Sequence, residues 1–521
     1  MKLSCAYVLA ALAMAWPGLG QTPTNVMTAR AAARFLDQAT WGPTPASVSD
    51  LEQSGIANWL SQQFALNTSD LPDQAILDST GQPNRALGPV QEAFFANAVN
   101  QPDQLRQRVA FALSQIWVVS FEGIPLAYPF PPYWRIFRDN AFGNYRDLIK
   151  AVTLSPAMGR YLNMANNNKG NPAKGTSANE NYARELMQLF TLGLTQLNPD
   201  GSPVLDQNKN PLPTYDQTVV VNMAKVLTGW TYPTAPGAKP HINNPEYFFG
   251  QMIPVEAEHD TSAKTIFNGV TIPAGQTAEQ DLEWLLDALM AQPTMAPFVS
   301  QQLIQHLVTS NPSPQYVQRV ATVFSNDGFG ITGNLRAVIT AILTDPEARA
   351  ADDPNATVNP NFGHLREPIL FMTDLLRGLN ATLSSASTIF YDSSLQSENL
   401  FAAPSVFSYF SPQYRTEKGL LGPEFQIYST QTAAERADIV SAILYGRIDK
   451  GTTVNLAPFV QHAGSTTGLL SYISSVFLHG AMSSGLEQAA TNAVNAAGTP
   501  LAKTQAALYI VLTSGEYQII Q

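Results

Sequence analysis

The feature that most constrains this chain is a helical period that returns in window after window, each closed by Pro, Gly or Asn. Apolar residues recur at three- and four-residue spacing over 278–291, 295–309, 313–326, 333–344, 363–379, 430–446, 466–480, 485–497 and 501–513. That spacing marks one face of an α-helix, whereas a half-buried strand would alternate. The same period runs through 28–66, where Gly42 and Pro43 break it into two helices, and through 145–154. Over 103–120 it predicts an amphipathic helix with Leu105, Val109, Ala112, Leu113 and Ile116 inward and Arg106, Gln107 and Gln115 facing away. The segment 121–134, FEGIPLAYPFPPYW, holds too much proline for regular helix. Residues 195–214 change period and carry turn chemistry at 198–201 and 206–210, which predicts one small β-hairpin. Asp216 then caps a helix through Leu227. The fold class is therefore mainly α, a large multi-helix globular domain with a small β-hairpin insertion, the irregular part covering about 195–277. No low-complexity linker divides 21–521, which reads as a single domain. A split near 350–360 is the alternative.

Residues 1–20 have the order of a secretory signal: Lys2, an apolar run from Leu3 to Trp16, then Pro17 to Gly20 before a cut at Gln21. That run is too short to span a bilayer, and no later stretch approaches the ~20 apolar residues a membrane helix needs. The expectation is an exported protein, periplasmic or extracellular. Cys5 is the only cysteine and leaves with the signal. The mature chain then has no disulfide, thiolate metal site or iron–sulfur cluster, and any divalent cation would need His, Asp, Glu or carbonyl ligands. A formal charge of −11 with no long basic run argues against nucleic acid. Charged residues are only 13% of the chain, about half the usual ~25%. Asn, Gln, Ser and Thr fill the surface instead, which suits an extracellular protein.

The densest polar chemistry lies in 177–230, SANENYARELMQLFTLGLTQ and onward. Ser177 and Glu180 have the spacing of a capping box, and Gly193 stands where a left-handed terminator would. Glu180, Arg184, Glu185 and Gln188 fall on the polar arc of this helix. This stretch also carries a resemblance. NENYARELMQLFTLGL, the DG turn, PTYDQ and LTGW are joined by AARFLDQATWGPTPASV at 31–47, DQLRQRVAFALSQIWVVS at 103–120 and HDTSAKTIFNG at 259–269. LREPILFM at 365–372, APSVFSYFSPQY at 403–414 and LYIVLTSGEYQ at 508–518 complete the set. Together they resemble the bacterial family catalogued as domain of unknown function 1800. The resemblance implies an exported, mostly helical protein, often encoded beside a second exported protein. It implies no activity, cofactor or catalytic residue.

Three groups of residues are candidates for chemistry. Glu180, Arg184 and Glu185, with Asp216 following, would make a catalytic set if the carboxylates converged for acid–base work. Glu180 and Glu185 diverge by about 140° around a helix, so an i, i+4 pair of Glu180 with Arg184 and a solvated Glu185 is the structural reading. Glu258, His259 and Asp260 offer ligands for Ca²⁺ or Zn²⁺, without an HExxH or second histidine in register. Tyr128, Tyr133 and Trp134 offer stacking faces for a sugar or polymer ligand, or fill a core edge. The run Asp206-x-Asn208-x-Asn210 imitates a calcium loop but lacks its glycine and glutamate, and a turn explains it. Gly328 to Gly333 matches GxGxxG outside any strand–helix setting.

Two functional readings follow. The first is a secreted interaction or assembly protein of the cell envelope or extracellular space, offering a polar groove near 166–185 to a partner protein or an extracellular polymer. The second is an exported hydrolase-like or metal-dependent enzyme using Glu180, Arg184, Glu185, Tyr215, Asp216, His259 and Asp260. The enzyme reading requires His259 or Asp260 within hydrogen-bond reach of Glu180 or Glu185.

Overall fold

A computed structural model describes residues 27–356 and 359–521. The proposed signal at 1–20 lies outside the described residues. The chain is mainly helical, and the helices fall where the period places them: Ala278–Met290, Met295–Leu307, Pro314–Ser325, Leu335–Thr344, Pro368–Gly378, Thr430–Leu444, Thr466–Phe477, Ser484–Ala496 and Pro500–Leu512. Ser and Thr side chains cap many of them. Thr277 with Gln280 and Ser429 with Thr432 form reciprocal capping boxes. One continuous cluster of buried apolar side chains runs from Ala32 to Ile520.

Several local expectations needed correction. The helix Phe130–Asn140 starts inside the proline-rich segment, with prolines in its first turn. A proline there loses only an N–H that the helix would leave unpaired, so it starts helices as readily as it breaks them. Residues 195–214 form three extended pieces joined by two turns, where one hairpin was expected. The amides of Gln196 and Leu212 donate to Leu212 and Val204 respectively, and that of Val204 donates to Gln196. In the second turn Asp206 Oδ1 accepts from the amides of Asn208 and Asn210, which accounts for the calcium-like spacing. Short antiparallel pairs join Trp230–Thr231 to Ile253–Pro254 and Lys264–Thr265 to Thr271–Ile272. The helices Gly88–Asn100 and Pro156–Tyr161 were not foreseen, and the loop Gly328 to Gly333 joins two helices.

The helix Gln104–Ile116 is not amphipathic in the way its pattern suggests. It packs against Ala29–Ala39, Pro45–Ala65, Phe130–Asn140 and Met295–Leu307. Gln107 and Gln115 are as buried as its leucines. A helix covered on every side must satisfy its polar residues internally. Gln107 donates to Asp103 at 2.9 Å, and Gln115 donates to Glu367 at 2.7 Å.

Arg366 organises the far side of this core. His364–Leu365 pairs antiparallel with Ile519–Ile520, which sets Arg366 against the C-terminal segment. Its Nε donates to the Tyr517 carbonyl at 2.9 Å, and its two terminal nitrogens hold Asp37 at 2.5 and 2.8 Å. Asp374 lies 3.7 Å away, and His479 reaches Asp37 at 3.2 Å. The guanidinium depresses Asp37 below the usual carboxylate range, although burial opposes it. Burial raises Asp374 to about 6. Replacing Arg366 by Met would strand two buried carboxylates, and we expect a loss of about 3–5 kcal/mol in urea unfolding. A loss below about 1 kcal/mol would show that the pair contributes no more than a surface bridge.

A glutamine-lined cleft over a buried carboxyl pair

The 177–193 stretch differs from its reading at its start and in its second half. Ser177 is exposed and caps nothing; the helix begins at Asn181 and passes at Leu186–Thr191 into a turn of π-helix. Gly193 does adopt the left-handed conformation, with φ +73°, and a Cβ there would meet the Phe298 ring at 2.8 Å. Glu180 Oε2 accepts from Arg184 at 3.0 Å and from Gln217 at 2.9 Å. Glu185 is not solvated as the structural reading had it. It is half-buried, one carboxylate oxygen lacks a partner, and burial raises its pKa. Asp216 caps the Gln217–Val226 helix through the Val219 amide.

The other two candidate groups come apart. His259 is wholly buried, its Nδ1 against the Thr228 carbonyl at 2.9 Å and its Nε2 against Asp281 at 3.0 Å. Lys264 holds the same Asp281 oxygen at 2.6 Å. Asp260 accepts from Ser262, and the Glu258 carbonyl accepts from Lys169. No group of three His, Cys, Asp or Glu side chains placed to hold a metal ion occurs among the described residues. With both ring nitrogens of His259 engaged elsewhere, the composite site with Glu180 and Glu185 does not assemble. Tyr128, Tyr133 and Trp134 are core residues. The Tyr133 hydroxyl donates to the Trp117 carbonyl at 2.8 Å, and Trp134 meets Phe94 edge-on at 5.2 Å. They offer no stacking face.

A polar hollow of about 680 Å³ does lie beside 163–179. Its asparagines are largely spent on each other: Asn167 and Asn179 exchange two hydrogen bonds, and Asn166 bonds Thr231 and Asn244.

A richer site lies where no candidate was placed. A cleft of about 440 Å³ opens between the π-helical turn, the Met295–Leu307 helix and the 406–413 loop. Phe298, Gln301, Gln302 and Gln305 fall at i, i+3, i+4 and i+7 and so share one helix face toward it. Gln188 and Leu189 come from the π-helical turn, and Phe407 and Phe410 from the loop. Gln115, His306 and Glu424 complete the lining. Glu424 accepts from His364 Nδ1 at 3.2 Å, while its Oε2 and the Gln115 Oε1 have no donor among the described residues. An acceptor buried without a partner costs about 1–3 kcal/mol, so these two atoms mark where a donor belongs. Burial and the nearby Arg108 cation hold His306 down at about 3, which keeps its imidazole neutral.

Behind Gln115 lies a second carboxyl pair. Glu367 and Glu398 are both buried, and the Glu367 charge acts directly on Glu398. Burial pushes Glu398 well above the usual range, and the neighbouring Glu367 charge adds to it. Glu367 is raised by burial, against the pull of Arg108 and the Gln115 amide. Glu398 Oε2 also accepts the Ile369 amide at 2.8 Å. A carboxyl from a distant loop thus caps an orphan N–H at the start of the Pro368–Gly378 helix.

The signal for this site was present but faint. Arg366 and Glu367 interrupt an apolar run at 365–372, and Arg34 and Asp37 interrupt another at 31–39. In a chain so short of charge, ions inside apolar windows point to a buried network. Nothing local ties Glu398 or Glu424 to it.

Over residues 34–519 the chain matches the family described as Protein of unknown function (DUF1800). No curated protein and no solved structure matches it.

The carboxyl pair makes stability fall on the alkaline side. The folded chain keeps on Glu398 a proton that the unfolded chain releases above 4.5. Stability therefore declines as pH rises from there toward the raised folded pKa, by about 1.4 kcal/mol per unit for each such proton. Glu398→Gln keeps an acceptor for the Ile369 amide without the titrating proton. Thermal unfolding from pH 5 to 9 should show a slope shallower by one proton's worth, and an unchanged slope would refute the retained proton.

Proposed function

The chain belongs to the DUF1800 family, whose description assigns no activity, and we propose that it is an exported interaction protein that grips an extended polypeptide segment bearing a basic side chain. The observation that carries this reading is the cleft floor, where Glu424 Oε2 and Gln115 Oε1 lack donors. Glu424 is the one acidic side chain lining the cleft among the described residues, and no lysine or arginine lines it; the buried Arg108 acts on Glu424 from outside the lining. An ammonium or guanidinium would satisfy both acceptors. The rings of Phe298, Phe407 and Phe410 offer that cation aromatic faces. Each glutamine of the wall presents both a donor and an acceptor, which suits the alternating N–H and C=O groups of an extended chain. Export rests on residues 1–20, read as a cleavable signal.

Two measurements test this. Peptide arrays probed with the mature protein should select segments with a central Lys or Arg. Glu424→Gln should weaken the best of them at least about tenfold in fluorescence polarisation. Phe407→Ala, a change at an exposed ring, should weaken it several-fold with no change in unfolding temperature. Equal binding by Glu424→Gln, or selection of acidic peptides, would overturn the reading. For export, intact mass of the secreted protein should place its first residue at Gln21. Retention of residues 1–20 would refute the signal.

A further inference from the structure

We propose a second binding site, for a neutral glycan, on the cleft that carries Trp284. Trp284 stands on the Ala278–Met290 helix and leaves 43% of its surface exposed, in a chain whose other large aromatic side chains are mostly buried. The ring opens into a cleft of about 730 Å³, separate from the glutamine-lined one. Trp230 lies in the wall of this cleft, and its indole N–H is buried without an acceptor. Gln251, Gln276 and Glu279 also line it. None of these three side chains makes a hydrogen bond to another described residue, so each is free for a ligand. By contrast, Glu283 and Asp287 are taken up by Arg146, each at 2.7 Å.

An exposed indole ringed by free amides and a carboxylate matches one ligand chemistry well. A pyranose has an apolar C–H face that stacks on an aromatic ring, and hydroxyls at its edge that both donate and accept. The other apolar lining residues, Leu154, Met252 and Leu282, are buried. A single exposed ring is too small an apolar area to hold a lipid surface or an apolar helix. Lys150, the one cation in the lining, is paired with Glu283, so the unpaired Glu279 leaves the cleft net negative; it would repel uronic acids and phosphorylated sugars, which leaves neutral glycans.

Isothermal titration of the mature protein with cellohexaose and maltohexaose, both neutral, tests the site, with polygalacturonate as the anionic comparison. At least one neutral hexasaccharide should bind at millimolar concentration or below. Trp284→Ala should weaken it at least about tenfold, and Trp284→Phe should retain part of the affinity. Both variants should unfold at the parent's temperature, because the ring is exposed. Gln276→Ala should cost a few-fold. The proposal fails if neither hexasaccharide binds, if Trp284→Ala binds as the parent does, or if polygalacturonate binds as well as the neutral sugars.

Discussion

The buried guanidinium of Arg366 is the tie on which the rest of the core depends. It joins three parts of the chain far apart in sequence: Asp37 on the first helix, Asp374 on the Pro368–Gly378 helix and the Tyr517 carbonyl near the C-terminus. Taking these ions out of water costs several kcal/mol each, and their attraction roughly offsets that. The network therefore adds little net stability when intact. Its effect is to fix register: with His364–Leu365 paired to Ile519–Ile520, there is one arrangement in which every charge has a partner.

The same constraint reaches the cleft through Glu367, the residue after Arg366. Glu367 is held by Gln115 at the end of the Gln104–Ile116 helix, and its charge acts on the buried Glu398. Gln115 is both a ligand of this pair and part of the cleft floor. The orientation of its amide is thus set from behind, by the Glu367 carboxylate that solvent does not reach. The π-helical turn at Leu186–Thr191 supplies the opposite wall, and such turns often occur where a helix is bent to present side chains to a site. The stretch that looked most chemical in sequence does contribute to the cleft, through Gln188 and Leu189 and not through Glu180 or Arg184.

The helices were legible because a 3.6-residue period and Ser/Thr caps are local properties. The windows from 278 onward match their elements to within a few residues. What failed locally did so for local reasons. Pro131 and Pro132 read locally as breakers, although a first-turn proline is tolerated. Ser177 had cap spacing, but the chain up to Asn181 is spent on contacts between Asn167 and Asn179. The helix Gln104–Ile116 misled for a different reason. Its period identified a buried stripe, and nothing in a single helix says that a second layer covers the other side.

The candidate site was much less legible. Glu180 with Arg184 was readable as an i, i+4 pair, because that distance is set by helix geometry alone. His259 was readable as a histidine among acids, but its partners Thr228 and Asp281 lie 31 and 22 residues away. Sequence alone determined the helical class, the caps, the turn at Asp206 and the shortage of charge that makes each ion informative. Tertiary structure alone decided which ions were buried together and which glutamines faced a common space. Pairing Gln115 with Glu367 closes a separation of 252 residues, and Arg366 with Asp37 one of 329. Such contacts are selected by packing and by the cost of leaving a charge unpartnered, and neither quantity exists until the chain has folded.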